Sequence, residues 1–276
     1  MKRIITAVII LPFLIASILI PWLQLLFVLL IAAALLLGLW EFRRLARRRG
    51  MKPVDEAMFL GAAGLFVVFY FNDSGQELFS LQLIVAILIL LTIFTLVAAT
   101  FRGAPFDAII SSSGATILGV LYVVLLGGHL VALRTAFPQQ LSAHLLSFFF
   151  LVLMGADAGA YYIGSAFGKH KLAPKISPGK TWEGVAGGLL AGLLLAAVSH
   201  FWFFRNLPLK WALPLGALMT VLGILGDLTE SALKRSVGAK DAAKLLPGHG
   251  GMLDRLDSLL FNAPLIYYFA RVYFQP

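Results

Sequence analysis

Apolar runs of about twenty residues recur from one end of this chain to the other. A run of that length matches the span of a helix across the hydrocarbon core of a bilayer. Nine candidate spans fall roughly at 4–20, 22–40, 57–71, 78–99, 107–131, 143–168, 184–204, 211–228 and 258–273. Pro21 breaks the first pair into a hairpin, and the third and last runs are short. Of the 276 residues, 60% are hydrophobic and 13% charged. A soluble domain is nearer ~45–50% apolar. With a mean hydropathy of +0.92, the expected fold is all-α: a polytopic integral membrane protein of about nine transmembrane helices.

The same composition excludes other classes. There is no cysteine, which removes disulfides, zinc-thiolate sites and thiol catalysis. The formal charge of +9 suits topology signals and anionic head groups better than nucleic acid in so apolar a chain. The N-terminal MKRIITAVIILPFLIASILIP resembles a signal peptide, but no cleavage site precedes the next apolar run, so it is expected to stay as the first helix. With a cytoplasmic N-terminus, 18 of the lysines and arginines fall on the cytoplasmic side and four (Arg134, Arg205, Lys210, Arg271) on the other. That bias supports this orientation, and an odd span number puts the C-terminus outside.

Polarity is concentrated after residue 150. The chain is therefore expected to divide into N-terminal transmembrane helices at 1–150 and a transmembrane catalytic region at 151–276. Asp157 sits inside a span, in MGADAGAYYIG, where a carboxylate needs a partner or a water-filled cavity. Its small neighbours allow close helix approach. Asp227, Glu230, Ser231 and Lys234 are spaced to share one helix face. PGHGG, residues 247–251, reads as a tight turn whose backbone N–H groups suit an anion. Asp254 and Asp257 follow, three apart. If a helix begins there both face one way, and its first turn favours acids and bound anions.

Carboxylates suit magnesium, which leaves room for water and phosphate oxygens. Lys180, Lys234, Arg235, Lys240 and Arg255 suit phosphate. Acids for a metal beside bases for phosphates make a phosphoryl or nucleotidyl transfer site. The pattern GxxxxGK[ST] is absent, so this is not a P-loop ATPase.

Residues 231–257, SALKRSVGAKDAAKLLPGHGGMLDRLD, resemble the signature of the phosphatidate cytidylyltransferase (CDP-diacylglycerol synthase) family. That signature runs S-x-apolar-K-R, four residues, K-D-x-small, two residues, apolar-P-x-H-G-G-apolar-x-D-R-apolar-D, and every defined position is met. DAGAYYIGSAFGKHKLAPK and KISPGKTWEG are similar to bacterial members, so the likeness covers residues 155–260; the first 150 match only in kind. The resemblance implies a nucleotidyltransferase that makes CDP-diacylglycerol and pyrophosphate from CTP and phosphatidate in phospholipid biosynthesis. It also implies magnesium, sometimes with a monovalent cation such as K+, and a homodimer in the bacterial inner membrane with a polar cavity facing the cytoplasm.

By that resemblance Asp227 and Asp254 ligate metal, and Asp257 is added to them. Lys234, Arg235, Lys240, Asp241, His249 and Arg255 are the catalytic candidates. Ser177, Lys180, Thr181, Glu183, Gly250, Gly251 and Asp157 are the candidates for shaping the cavity and binding substrate. For His249 a phosphate or turn-fixing hydrogen bond is expected before acid catalysis. Two alternatives stand beside it: a CTP-dependent lipid kinase, which needs similar metal and phosphate groups, and a transporter, a different class, coupled through Asp157. The transporter leaves the HGG-x2-DR-x-D cluster unexplained. The D-x2-D-G-x2-A-R run of CDP-alcohol phosphotransferases is missing, since no Asp-Gly dipeptide occurs.

Overall fold

The computed structural model describes residues 2–72, 77–102, 106–239 and 251–274. Its helices are α1 (Lys2–Leu19), α2 (Gln24–Arg48), α3 (Asp55–Tyr70), α4 (Glu77–Phe101), α5 (Ile109–Gly119), α6 (Leu126–Thr135), α7 (Gln139–Phe167), α8 (Trp182–Trp202), α9 (Leu209–Ser236) and α10 (Leu253–Phe274). A π-helical turn, Val120–Leu125, joins α5 to α6, so the two form one continuous rod. The protein is an all-α polytopic membrane protein, and helices occupy each of the nine apolar runs.

Among the described residues, six helical segments are long and apolar enough to cross a membrane: Pro21–Arg48, Leu78–Phe101, Phe106–Thr135, Gln139–Phe167, Trp182–Trp202 and Leu209–Ser236. α3, with 16 residues, is shorter. α10 opens on Asp254, Arg255 and Asp257.

The rod from α5 to α6 is the centre of the bundle. Val120, Val123 and the run Leu130 to Leu133 are buried along it. α4 lies at the periphery, with Leu78, Leu81, Leu90 and Ile93 turned outward. Such apolar surface suits lipid. α7 and α8 approach most closely. A Cβ on Gly159 would lie 2.7 Å from the Gly187 carbonyl oxygen, and one on Gly187 would lie 2.9 Å from the Gly159 oxygen. The small residues read around Asp157 thus bring two backbones together, as such stripes do in lipid.

KISPGKTWEG is partly sheet. β1 (Lys171–Ala173) pairs antiparallel with β2 (Ser177–Thr181), in the register Lys171↔Thr181 and Ala173↔Ser177. Proline and glycine mark this stretch as a turn region. Its pairing comes from a partner strand only a few residues away, which apolar periodicity does not register.

Several helix ends also differ from the apolar pattern, and two of them bear on the polar end of the bundle. α9 runs on to Ser236, past the apolar limit expected at 228. α10 starts at Leu253, before the expected 258. Both extensions carry polar residues, because their polar faces pack against each other and inward rather than against lipid.

Candidate active site

The C-terminal ends of α7 and α9, the hairpin, and the N-terminal ends of α8 and α10 meet at one end of the bundle. They enclose a cavity of about 510 Å³. Asp157 reaches it from α7, Ser177, Lys180 and Thr181 from β2 and its end, Asp227 from α9, and Asp254, Arg255 and Asp257 from α10. Four carboxylates and two cationic side chains therefore line one space. At ~1.5 Å per residue, Asp157 lies about 15 Å inside the end of α7, and Asp227 is at a similar depth on α9. The cavity descends well below the helix ends.

Asp227, Asp157 and Asp257 lie close enough to feel one another's charge. Lys180 is set among them: its Nζ is 2.7 Å from Asp227 Oδ2 and also donates to the Ile224 carbonyl at 3.4 Å. Ser231 donates to Asp227 Oδ1 at 3.4 Å. Asp254 is held differently. Its Oδ1 accepts from Lys234 Nζ at 2.6 Å, and its Oδ2 from the Gly251 N–H at 2.9 Å. The same lysine lies 2.5 Å from Oε2 of Glu230, which is buried. Glu230 and Lys234 thus sit against α10, while Asp227 of the same stripe opens on the cavity.

Three other candidates hold local structure. Arg235 donates to the Ile176 carbonyl at 3.3 Å and to the Ala239 carbonyl at 3.1 Å, which ties the hairpin tip to the end of α9. Glu183 accepts from the Lys169 N–H at 3.1 Å and from the His170 N–H, with His170 Nδ1 2.6 Å from its Oε1. It closes the base of the hairpin. Thr181 caps α8, its Oγ1 accepting from the Gly184 N–H at 3.1 Å. Thr181→Ala is expected to cost about 1 kcal/mol, and Thr181→Ser to retain the cap; thermal unfolding of the solubilised protein checks both. Lys240, Asp241, His249 and Gly250 lie outside the described residues.

Sequence reading missed Glu41. It is fully buried, and its two oxygens accept from the Met252 N–H at 2.9 Å and the Leu253 N–H at 2.8 Å. The preference of the α10 N-terminus for an anion is met from within the chain. The sequence signal was a lone acid just past the second apolar run, two residues before the basic stretch RRLARRRG. Tyr122 was missed too. It sits on the π-helical turn, within electrostatic range of Asp257, Glu230 and Asp227.

Carboxylate oxygens without thiols form a donor set suited to a hard divalent cation. Among the described residues, no group of three or more acids or histidines is arranged to hold an ion. Magnesium takes one or two protein carboxylates and fills its shell with water and phosphate oxygens.

Fold and site define a polytopic membrane protein with acids and bases gathered in a cavity at its helix ends. The chain matches the model of the cytidylyltransferase family over residues 1–273, and it belongs to that family. Three bacterial relatives carry the name phosphatidate cytidylyltransferase. The protein of Haemophilus influenzae is 49% identical over 131 residues, an alignment covering 45% of each chain. That of Bacillus subtilis is 37% identical over 72% of this chain and 70% of its own. That of Staphylococcus haemolyticus is 33% identical over 84% of this chain and 86% of its own. The first alignment spans under half of either protein; the other two span most of both.

Proposed function

We propose that this protein is a phosphatidate cytidylyltransferase, converting CTP and phosphatidate to CDP-diacylglycerol and pyrophosphate. The observation that carries the reading is the single cavity in which Asp157, Asp227, Asp254 and Asp257 face Lys180 and Arg255. A phosphate oxygen of phosphatidate attacks the α-phosphorus of CTP in line. The new P–O bond forms as the bond to the pyrophosphate group breaks. The nucleophile is already an anion at neutral pH, so no general base is required. The obstacle is bringing two anions together.

Asp227 and Asp257, with Asp254 beside them, would hold Mg2+, and a monovalent cation such as K+ fits the remaining acid charge. When bound there, the divalent ion screens the repulsion and stabilises the charge of the transition state. Lys180 and Arg255 hold substrate phosphate from two sides. Lys234 keeps Asp254 in its rotamer through a pair of short ion contacts. Ser177 shapes the wall through which CTP arrives. Asp157 marks the deep end, and the exposed Tyr161 and Ser165 on α7 mark a rim. There the acyl chains of phosphatidate stay in lipid while its phosphate enters.

Orientation follows from the 18 to four distribution of basic residues. The N-terminus and the cavity face the cytoplasm, and the membrane is the bacterial inner membrane. The reading includes a homodimer, checked by light scattering of the solubilised protein.

The experiment is product analysis with purified protein, phosphatidate, magnesium and each nucleoside triphosphate in turn. Pyrophosphate appearing in step with a CDP-lipid, with CTP alone, is the expected result. CDP with a newly phosphorylated lipid would make the protein a kinase. No nucleotide-dependent product would overturn the reading.

A further inference from the structure

α10 begins inside the bundle rather than at its surface. A Cβ on Gly226 would lie 2.4 Å from the Asp257 carbonyl oxygen, so the first turn of α10 is level with Asp227 on α9. The opening N–H groups of a helix have no acceptor of their own. At this depth they need protein partners. Gly251 N–H goes to Asp254 Oδ2, and Met252 and Leu253 N–H go to the two oxygens of Glu41. Glu41 comes from α2, 211 and 212 positions away in sequence. It is fully buried. α2 also packs closely on α10 one turn earlier, where a Cβ on Gly38 would meet Leu256 Cδ1 at 3.0 Å.

Residues one to four positions beyond these N–H groups are Asp254, Arg255 and Asp257, all lining the cavity. Whatever fixes the start of α10 therefore fixes where these three side chains point. Because α2 lies outside residues 231–257, no motif on α10 or α9 records this dependence.

We infer that Glu41 is a positioning residue of the active site: its carboxylate clamps the first turn of α10 and so sets Asp254 and Asp257 toward Asp227. The inference rests on the proposed cation-dependent transfer. It also removes two backbone N–H groups from phosphate binding, which leaves that task at this helix end to side chains such as Arg255. The clamp needs two acceptor oxygens. Glutamine keeps the length but supplies one acceptor and turns an N–H donor on the other backbone donor. Aspartate keeps both acceptors on a side chain one methylene shorter.

Three measurements on wild type, Glu41→Gln and Glu41→Asp in lipid nanodiscs test this: amide hydrogen exchange over 251–257, Mn2+ binding by electron paramagnetic resonance, and turnover. Expected for Glu41→Gln are exchange at 252 and 253 faster than in wild type and Mn2+ affinity lowered about 10-fold. kcat should fall about 10–100-fold, the usual loss when a group orienting metal ligands is removed. Glu41→Asp should lie between. Unchanged Mn2+ affinity in folded Glu41→Gln overturns the inference, whether or not exchange or thermal stability changes, because Glu41 would then be a cap alone. If Glu41→Gln does not fold, Glu41→Asp decides by the same three readouts. If wild type itself releases no pyrophosphate from CTP, the proposed function falls, while exchange and Mn2+ binding still judge Glu41.

Discussion

Asp227→Asn is expected to lower CTP-dependent CDP-lipid formation by on the order of 10²–10³ or more while leaving the protein folded, the scale seen when one electrostatic group facing the reacting phosphate or carbonyl is removed. The substitution keeps shape and hydrogen-bonding reach but deletes one negative charge in a cavity built around charge. Asp227 is the carboxylate on which the others converge: it pairs with Lys180 at 2.7 Å and lies within electrostatic range of Asp157 and Asp257. A simpler account holds that Asp227 serves only to tether Lys180. The two separate on metal dependence. If Asp227 holds the cation, Asp227→Asn raises the magnesium concentration needed for half-maximal rate, and Lys180→Met chiefly raises KM for CTP. If it is only a tether, both variants change KM alike and the magnesium curve stays put. Asp254→Asn supplies the companion test. It removes one of the two carboxylates on Lys234, and near wild-type turnover in both aspartate variants would end the cation assignment.

Gly226→Ala is expected to destabilise the protein and abolish most activity, although alanine is by ~1 kcal/mol the better helix former. The added Cβ would sit 2.4 Å from the Asp257 carbonyl oxygen, 3.1 Å from its carbon and 3.3 Å from Ser258 Cα. These are backbone atoms, so no rotamer change relieves the clash. α9 and α10 must separate at the level where Asp227 faces Asp257. Overpacking of this kind costs about 1–3 kcal/mol, and a shift of about 1 Å in a catalytic constellation costs ~10²-fold in rate. Gly223, one turn earlier on the same helix, is the control. There the nearest atoms to a new Cβ are 3.5 Å or more away, so Gly223→Ala is expected to be neutral or stabilising. Thermal unfolding and turnover of the two variants side by side make the comparison. Equal behaviour would mean that the α9–α10 contact does not set the site.

Much of this architecture is legible along the chain because a bilayer asks for one property, apolar length, that a local window reports. Each of the nine runs is helical, and the small residues around Asp157 mark the close α7–α8 contact. Helix ends are less legible where polar faces pack inward. The continuation of α9 through Lys234 and the early start of α10 at Leu253 look like loop by hydropathy. The hairpin at 171–181 escapes for a related reason: three to five residues of pairing leave no periodic trace.

The candidate residues divide along the same line. Spacing alone puts Asp254 and Asp257 on one face and groups Asp227, Glu230, Ser231 and Lys234, because helix geometry is local. It does not say which acid meets which base. Beyond the i,i+4 pair Glu230–Lys234 within α9, only the packing of α9 against α10 and of β2 against α9 assigns Lys234 to Asp254 and Lys180 to Asp227. It likewise turns Glu183 toward His170 and brings Glu41 to α10 across 211 positions. The sequence by itself determined a helical membrane protein, its family signature and the list of acids and bases. Tertiary structure decided the partners, since charges and helix ends taken out of water must be satisfied by whatever group the fold brings within a few ångströms, however far away it stands in the chain.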